Sequence, residues 1–410
     1  MKFCIKTLGC KVNQYEEQVL RENLSRIGFD ETSAENADVA VVNSCTVTGQ
    51  ADSKTRNLIR KLKRENEKLK IFVTGCYAIF DEDIKNLKAL PEVYKVISGK
   101  DKMKLPEIFS ALFYEGKTAV NMEEGISSFG SHSRAFLKIQ DGCGHKCSYC
   151  KVGLVRGPSR SRDERAIIDE LVLLHKKGYN EIVLTGICLG AWTGSDDLTF
   201  PELLRKIDNL QGSFRVRLSS IEPDYVNDAL IETFFSSRRI CQHLHIPLQS
   251  GSDKILKLMR RRYCTKDFEL LVYKLRSKMP LIGITMDVIA GFPGETETDF
   301  NETINFIDRI KPSRLHVFRY SDRKGTASFL LKDKVPVETT KRRVEELIGR
   351  AKLWEKEFSE KFIGKEVKVL VERQSNSDYM EGYTGEYVKM TLSGVTAREG
   401  ELVSVVYKKP

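Results

Sequence analysis

The chain has 410 residues, 41% of them hydrophobic and 30% charged, with 67 Lys and Arg against 57 Asp and Glu for a formal charge of +10. That length supplies two or three domains with a large core, and the sequence holds no apolar run long enough to span a membrane. Ten cysteines in a chain of this size point to reduced thiols and metal ligands, because disulfide frameworks belong to short secreted domains. Met1-Lys-Phe-Cys-Ile-Lys6 enters a strand pattern at once, without a leader-like charged and apolar prelude, so the expected location is the cytoplasm with no membrane association. The positive excess suits a polyanionic partner.

The first segment alternates short apolar runs with helical patterns. Strands are expected at Lys2–Leu8, Ala37–Val42, Lys70–Val73 and Val93–Ile97, and helices at Asn13–Ile27 and Ala51–Leu69. Strand, helix, strand at this spacing implies right-handed crossovers and an open parallel sheet, a domain spanning 1–125. A cysteine follows three of the strands: Cys10 in Thr7-Leu-Gly-Cys, Cys45 in Val42-Asn-Ser-Cys-Thr and Cys76 in Val73-Thr-Gly-Cys-Tyr. Parallel strands gather their carboxyl ends on one edge, where open α/β sheets bind ligands. Three unrelated buried thiols are the alternative, but the same structural place recurring three times favours one shared site, a ligand short of a full cage.

A second three-thiol set is local. Cys143-Gly-His-Lys-Cys147-Ser-Tyr-Cys150 follows the strand-like run Ala135–Gln140. A four-iron cubane has four coordination sites to fill, so a loop with three thiolates leaves one iron open. A zinc knuckle would place its fourth ligand beyond the third cysteine, whereas His145 sits between the first two. The arrangement resembles the radical S-adenosylmethionine (SAM) superfamily, in which the open iron chelates SAM, and Tyr149 fits the aromatic position before the last cysteine.

From Ala135 the units lengthen. Strands are expected at Ala135–Gln140, Glu181–Gly186, Arg215–Ser220, His243–Ser250, Gly283–Gly291 and Arg314–Ser321. The accompanying helices are Ile167–Lys177, Phe200–Asn209, Asp224–Ser236, Asp253–Leu258, Asp267–Lys278 and Glu297–Ile310. Such βα units make a partial (βα)6 barrel over 130–350, with functional groups at the carboxyl ends of its strands. Those ends offer groups that a SAM molecule would need, although each alone is also an ordinary turn or cap residue: Thr185-Gly186 for the methionyl amino group, Ser220 and Glu222 for the ribose diol, and Gln249. The turn that closes Asp287–Glu295, with the Val288 or Ile289 side chain, would hold adenine. Gly291-Phe-Pro-Gly-Glu-Thr296 lacks the lysine and spacing of a P-loop, and no GxGxxG follows the first strand, which removes triphosphate and dinucleotide readings.

Thr339–Lys361 reads as a charged linker helix, and 360–410 as a small β-barrel built from Gly364–Glu372, Met380–Lys389 and Glu401–Tyr407. This tail is not a polycation, so RNA binding there would use aromatic platforms and a few cations, with Tyr379, Tyr383, Tyr387 and Arg373 as candidates; packing of the tyrosines in the barrel wall is the equal alternative. Elsewhere Arg156, Arg160, Arg162 and the run Arg260-Arg261-Arg262 are candidates for phosphates.

In this order the segments resemble the methylthiotransferase family from end to end: a three-cysteine domain, a radical SAM domain and a TRAM domain. Thr7-Leu-Gly-Cys-Lys-Val-Asn-Gln-Tyr-Glu16 looks like the MtaB branch, which modifies N6-threonylcarbamoyladenosine beside the tRNA anticodon. Asn43-Ser-Cys-Thr-Val-Thr48, Leu244-His-Ile-Pro-Leu-Gln-Ser-Gly-Ser252 and Tyr320-Ser-Asp-Arg-Lys-Gly-Thr326 fit the family as well. Two positions depart from it: Cys188, where Asn or His is usual and which reads as an inert small residue, and Arg319, where Pro is usual.

The resemblance implies two [4Fe-4S] clusters, SAM as cofactor, and no catalytic side chain beyond the cluster ligands. One cluster, on Cys143, Cys147 and Cys150, generates a 5′-deoxyadenosyl radical; the other, on Cys10, Cys45 and Cys76, presents sulfur. It further implies a tRNA anticodon stem-loop as substrate, an electron donor such as flavodoxin or ferredoxin, and a monomer. Alternatives are methylthiolation of isopentenyladenosine in tRNA or of a ribosomal protein aspartate, and a non-catalytic iron-sulfur or zinc RNA-binding module.

Overall fold

A computed structural model describes residues 1–113, 124–130, 132–374 and 379–408, so 114–123 of the expected first segment and 375–378 and 409–410 of the last lie outside it. The chain divides into two compact units. Met1–Gly130 with Cys150–Gly157 forms the first, and Ser131–Tyr149 with Pro158–Pro410 the second. Among the described residues no helix is long and apolar enough to cross a membrane.

The first unit runs β1 (Lys2–Thr7), α1 (Lys11–Arg26), β2 (Asp30–Glu31), β3 (Val39–Ser44), α2 (Gly49–Glu65), β4 (Lys70–Gly75), α3 (Asp81–Lys88), β5 (Val93–Val96) and α4 (Leu105–Phe113). Its sheet has the order β2-β1-β3-β4-β5, with every pairing parallel. Both faces are covered, which is why β3 is apolar at successive positions rather than alternating. Val39 and Val41 pack with Phe3, Leu20, Leu24 and Phe109 on one face. Ala40 and Val42 pack with Ile59, Leu62 and Val73 on the other. Helix α2 stops short of the expected Leu69 because the Asn66 amide donates to the carbonyls of Ala34 (3.2 Å) and Ala37 (2.9 Å), drawing the chain out of the helix. Short β2, α3 and α4 carry too little periodic pattern to be read from sequence.

In the second unit β6 (Ala135–Lys138) is followed by the two-residue antiparallel pair β7 (Gln140–Asp141) and β8 (Arg160–Ser161), while α5 (Val152–Arg156) between them folds with the first unit. Then come α6 (Glu164–Lys176), β9 (Glu181–Thr185), α7 (Phe200–Asp208), β10 (Arg215–Leu218), α8 (Asp228–Ser236), β11 (His243–His245), α9 (Asp253–Leu258), α10 (Thr265–Lys278), β12 (Gly283–Ala290), α11 (Glu297–Ile310) and β13 (Arg314–Arg319). Strands β10-β9-β6 and β11-β12-β13 form two parallel sheets, and the parallel bridges Val216–Ile240 and Ser220–His245 join β10 to the segment carrying β11. The six strands thus follow one another in chain order, as in a partial βα barrel, and among the described residues β6 and β13 are not paired.

Helix α12 (Val337–Glu360) leads to β14 (Glu366–Gln374), β15 (Tyr379–Thr384), β16 (Lys389–Ser393) and β17 (Leu402–Val406), an antiparallel sheet of order β16-β15-β14-β17. What ties this sheet to the amino-terminal end of the barrel is one carboxylate. Fully buried Glu181 receives Arg134 (3.1 Å), Arg215 (2.6 Å) and Arg217 (2.9 Å). Arg215 also donates to the carbonyls of Lys368 (3.0 Å) and Tyr383 (2.9 Å), and Arg217 to those of Thr384 and Gly385 (2.9 Å each). Tyr383 and Tyr387 stack on each other at 4.8 Å, the Arg217 guanidinium lies 4.7 Å from the Tyr387 ring, and the His243 ring lies 4.8 Å from that same ring. These two tyrosines, expected as platforms for RNA bases, are therefore spent on the barrel. Tyr379 stays 44% exposed, and Arg373 is held by Glu381 at 2.5 Å.

Burial alone would raise the Glu181 carboxyl, but Arg217, Arg215 and Arg134 outweigh it and hold the group well below the ordinary carboxylate range. A depressed folded-state value contributes stability that is complete above the unfolded value and is lost as pH falls, here below roughly pH 4. Glu181→Gln leaves three guanidinium groups beside a neutral amide, with an expected loss of about 3–5 kcal/mol in urea unfolding at neutral pH. That loss should shrink as pH is lowered past roughly 4; an unchanged difference would show that charge is not what Glu181 contributes.

Candidate functional site

In the first unit the three strand-end cysteines are brought to one edge by register. Ser44 pairs with Gly75, Asn43 with both Thr7 and Thr74, and the Cys76 amide donates to the Ser44 carbonyl at 3.0 Å. Each of the outer two cysteines is preceded by a glycine that has to be one. Gly9 has φ +117°, and a Cβ there would lie 2.9 Å from Asn13 Nδ2 and 3.2 Å from Cys45 Sγ. Gly75 has φ +94°, and its Cβ would lie 2.4 Å from the Ser44 carbonyl oxygen. Only glycine accepts both the dihedral and the approach.

Beneath the thiols lies a buried polar cluster that the sequence did not announce. Asn13 and Glu16, one turn apart on α1, face the edge. The Asn13 amide donates to the Leu8 (2.9 Å) and Ser44 (3.3 Å) carbonyls, and its Oδ1 lies 4.0 Å from Cys76 Sγ. Arg156, only 7% exposed along its side chain, donates to Glu16 at 3.0 Å and to Asn13 Oδ1, and Lys102 binds the same Glu16. Arg156 was a candidate for a phosphate contact; burial and these bonds withdraw it from that role. Two cations against one carboxylate leave the pocket positive. Burial pushes the Cys45 thiol up to about 11 and raises Cys76, and in both cases Arg156 works in the opposite direction. Cys10 is exposed at the rim. The edge thus offers three thiols in a positive surrounding, the donor set and charge for an iron-sulfur cluster. The helical spacing of Asn13 and Glu16 was the available signal, since i and i+3 share a helix face.

Within the local set, Cys143 and Cys147 fold with the second unit and Cys150 with the first. A hydrogen bond from Cys188 is the largest influence on Cys143 and holds its thiol down at about 7 against the effect of burial. The His145 amide also donates to Cys143 Sγ, at 3.4 Å. Cys188 is buried, and its own amide donates to Gln140 Oε1 at 2.8 Å. Gln140 Nε2 in turn holds the carbonyls of Asp141 (2.8 Å) and Gly142 (2.7 Å), fixing the chain that leads into Cys143. Beside Cys147, Arg261 donates to its Sγ at 3.2 Å, to Tyr263 at 3.0 Å and to Tyr149 at 3.5 Å, and ion-pairs with Glu222. Arg261 was grouped with phosphate contacts; its side chain is 3% exposed and serves the thiol instead.

The remaining expected residues gather at the same carboxyl ends. Gly186 follows β9, where a Cβ would meet Gln140 Oε1 at 2.9 Å. Thr185 before it is buried, leaving backbone rather than side chain to offer there. Ser220 bridges to His245, and Gln249, at φ +70°, bridges to Val288 and donates its amide to the Asp287 carbonyl at 2.7 Å. Ile289 and Tyr149 pack together against Phe292 and Met259. Glu222 is engaged by Arg261 but faces the Cys147 neighbourhood. Arg162 is tied to Glu170 (2.7 Å) and the Lys138 carbonyl (2.7 Å), whereas Arg160, Arg260 and Arg262 are exposed.

Residues 2–99 match the family described as Uncharacterized protein family UPF0004, and residues 137–307 the Radical SAM superfamily. The threonylcarbamoyladenosine tRNA methylthiotransferase MtaB of Thermotoga maritima is 38% identical, with 98% of this chain and 94% of that protein covered. The tRNA-2-methylthio-N(6)-dimethylallyladenosine synthase of Acetivibrio thermocellus is 31% identical, over 98% and 88%. Among solved structures, the radical S-adenosylmethionine methyltransferase TsrM from Kitasatospora setae superposes with a TM-score of 0.56 at 14% identity, over 78% of this chain and 74% of that one, a likeness of fold alone.

Gly75→Ala should cost about 3 kcal/mol, because the strained dihedral and the collision with Ser44 add. Gly178, at φ +98° with nothing within 4 Å of a Cβ, isolates the dihedral alone, and Gly178→Ala should cost about 1 kcal/mol. Urea unfolding of the two variants checks this; equal costs would show that close approach does not constrain the Cys76 turn.

Proposed function

The chain belongs to the radical SAM methylthiotransferase family, and we propose that it converts N6-threonylcarbamoyladenosine beside the tRNA anticodon to its 2-methylthio derivative. In this reading Cys143, Cys147 and Cys150 hold one [4Fe-4S] cluster and Cys10, Cys45 and Cys76 a second. The observation that carries it is the repetition of three thiols at strand ends, one set local and one assembled by register. The substrate rests on the greater likeness to the threonylcarbamoyladenosine enzyme than to the dimethylallyladenosine one.

When bound, the first cluster and SAM supply a 5′-deoxyadenosyl radical and the second cluster presents the sulfur that is methylated and inserted. The chain positions these groups. Arg261 anchors the Cys147 thiolate and pairs with Glu222, which with Ser220 would take the ribose diol. The backbone at Gly186 meets the methionyl amino group, Ile289 and Tyr149 supply an apolar wall for adenine, and Gln249 holds the turn beside it. Cys188 donates to Cys143 and stabilises its thiolate. In the first unit Arg156 and Lys102 offset the negative charge of three thiolates and of an anionic sulfur. Arg160, Arg260, Arg262 and Tyr379 are exposed and would meet the phosphates and splayed bases of an anticodon loop. We divide the work among three domains, 1–125, 130–350 and 360–410, in a cytoplasmic monomer that takes electrons from a flavodoxin or ferredoxin.

Cys45→Ala separates the two thiol sets. Anaerobically reconstituted protein should lose roughly four irons per chain yet still release 5′-deoxyadenosine from SAM, while 2-methylthio product falls below detection in nucleoside mass spectrometry. Retained product would remove the second cluster from the reaction. In a deletion strain, tRNA should lack 2-methylthio-N6-threonylcarbamoyladenosine; an unchanged level would reject the substrate.

A further inference from the structure

Inside the barrel a second kind of ligand set lies apart from the thiols. His245 pairs in register with Thr285, and Asp287 with His316. Thr285 and Asp287 are two residues apart on β12, so the pleat turns both to one face and sets their cross-strand partners beside them. Among the described residues this is the one group of three or more histidines, cysteines and carboxylates whose ligand atoms all lie within 4.8 Å of one another. His245 Nε2 is 3.1 Å from Asp287 Oδ2, and the two imidazole rings are 5.7 Å apart, inclined at 40°.

Thr285 orients the first ligand. Its hydroxyl lies 2.9 Å from His245 Nδ1 and 3.0 Å from His243 Nε2. One hydroxyl has one proton, so it donates to one ring and accepts from the other. With His245 Nδ1–H donating to Thr285, the Nε2 lone pair points at an anionic carboxylate, which is repulsive until a cation lies between them. An outward bond from the second ring nitrogen is also what a metal-ligating imidazole makes.

We propose that His245, Asp287 and His316 bind one divalent first-row transition ion within the barrel. Two imidazoles and a carboxylate with further positions open suit ions such as Mn2+, Fe2+ or Zn2+, whereas thiolate sets select iron-sulfur clusters, so the two kinds of site do not compete. Metal bonds of about 2.0–2.2 Å bring ligands to roughly 3–3.6 Å of one another. The His245–Asp287 pair already has that separation, and His316 reaches it by turning its ring. The open positions would accept water or an anionic oxygen donor. This goes beyond the methylthiotransferase reading and does not rest on it.

The test is Mn2+ alone, titrated into anaerobic holoenzyme and followed by the loss of the free-ion signal in electron paramagnetic resonance. One saturable Mn2+ per chain is expected. Asp287→Asn and His316→Gln should each weaken it at least tenfold, and Thr285→Val roughly 10–100-fold, with iron and sulfide content unchanged. Should Asp287→Asn fail to fold, His316→Gln decides. No saturable binding in the parent protein, or equal affinity in the folded variants, overturns the site.

Discussion

Parallel strands spend their hydrogen bonds on each other until the ladder ends, and at the carboxyl end the backbone has to leave the sheet. That geometry governs both units. It places Cys45 and Cys76 one residue beyond the paired positions Ser44 and Gly75, and it places Gly186, Ser220, Glu222 and Gln249 beyond β9, β10 and β11. Side chains that would be far apart in sequence become neighbours without any loop having to find them. The turns are tight, and their tightness explains the glycine before Cys10 and before Cys76: the φ of each and the space beside it leave no room for a Cβ.

Burying a thiolate has an electrostatic cost, and in both units a buried arginine works against it. In the first, Arg156 and Lys102 share Glu16 below the cysteine edge. In the second, Arg261 sits between Cys147 and Glu222. Each arginine is itself almost fully buried, so each needs a carboxylate partner to be tolerated. The guanidinium fork suits this better than an ammonium would, since it can bond a thiol and a carboxylate from one plane. Beside Cys143, buried Cys188 works to lower the thiol, against the effect of burial.

At the opposite end of the barrel, Glu181 binds three arginines, two of which, Arg215 and Arg217, also hold backbone carbonyls of the C-terminal sheet. The consequence for function is indirect but firm. Tyr383 and Tyr387 are consumed in this contact, which leaves Tyr379 as the exposed one of the three tyrosines considered for base stacking. Composition alone could not separate them, because an aromatic residue in a short strand looks the same whether it faces solvent or a neighbouring guanidinium.

Period and punctuation were enough to read the class of fold, the parallel sheet, the run of βα units and the cysteine sets, because crossovers and turn residues leave local signatures that do not depend on distant partners. Strand limits were overextended where a single bridge replaces a ladder, as beyond His245 and Leu218. The place of the thiols at strand ends was legible; their surroundings were not. Arg156 and Arg261 lie in basic stretches that read as phosphate contacts, and only tertiary packing turned them inward, because a lone charge is stable inside a protein when a partner from elsewhere in the chain meets it. The same reason separates the readable from the unreadable throughout: backbone direction is set by near neighbours, while the ionic partners of Glu16, Glu181 and Glu222 are chosen by folding.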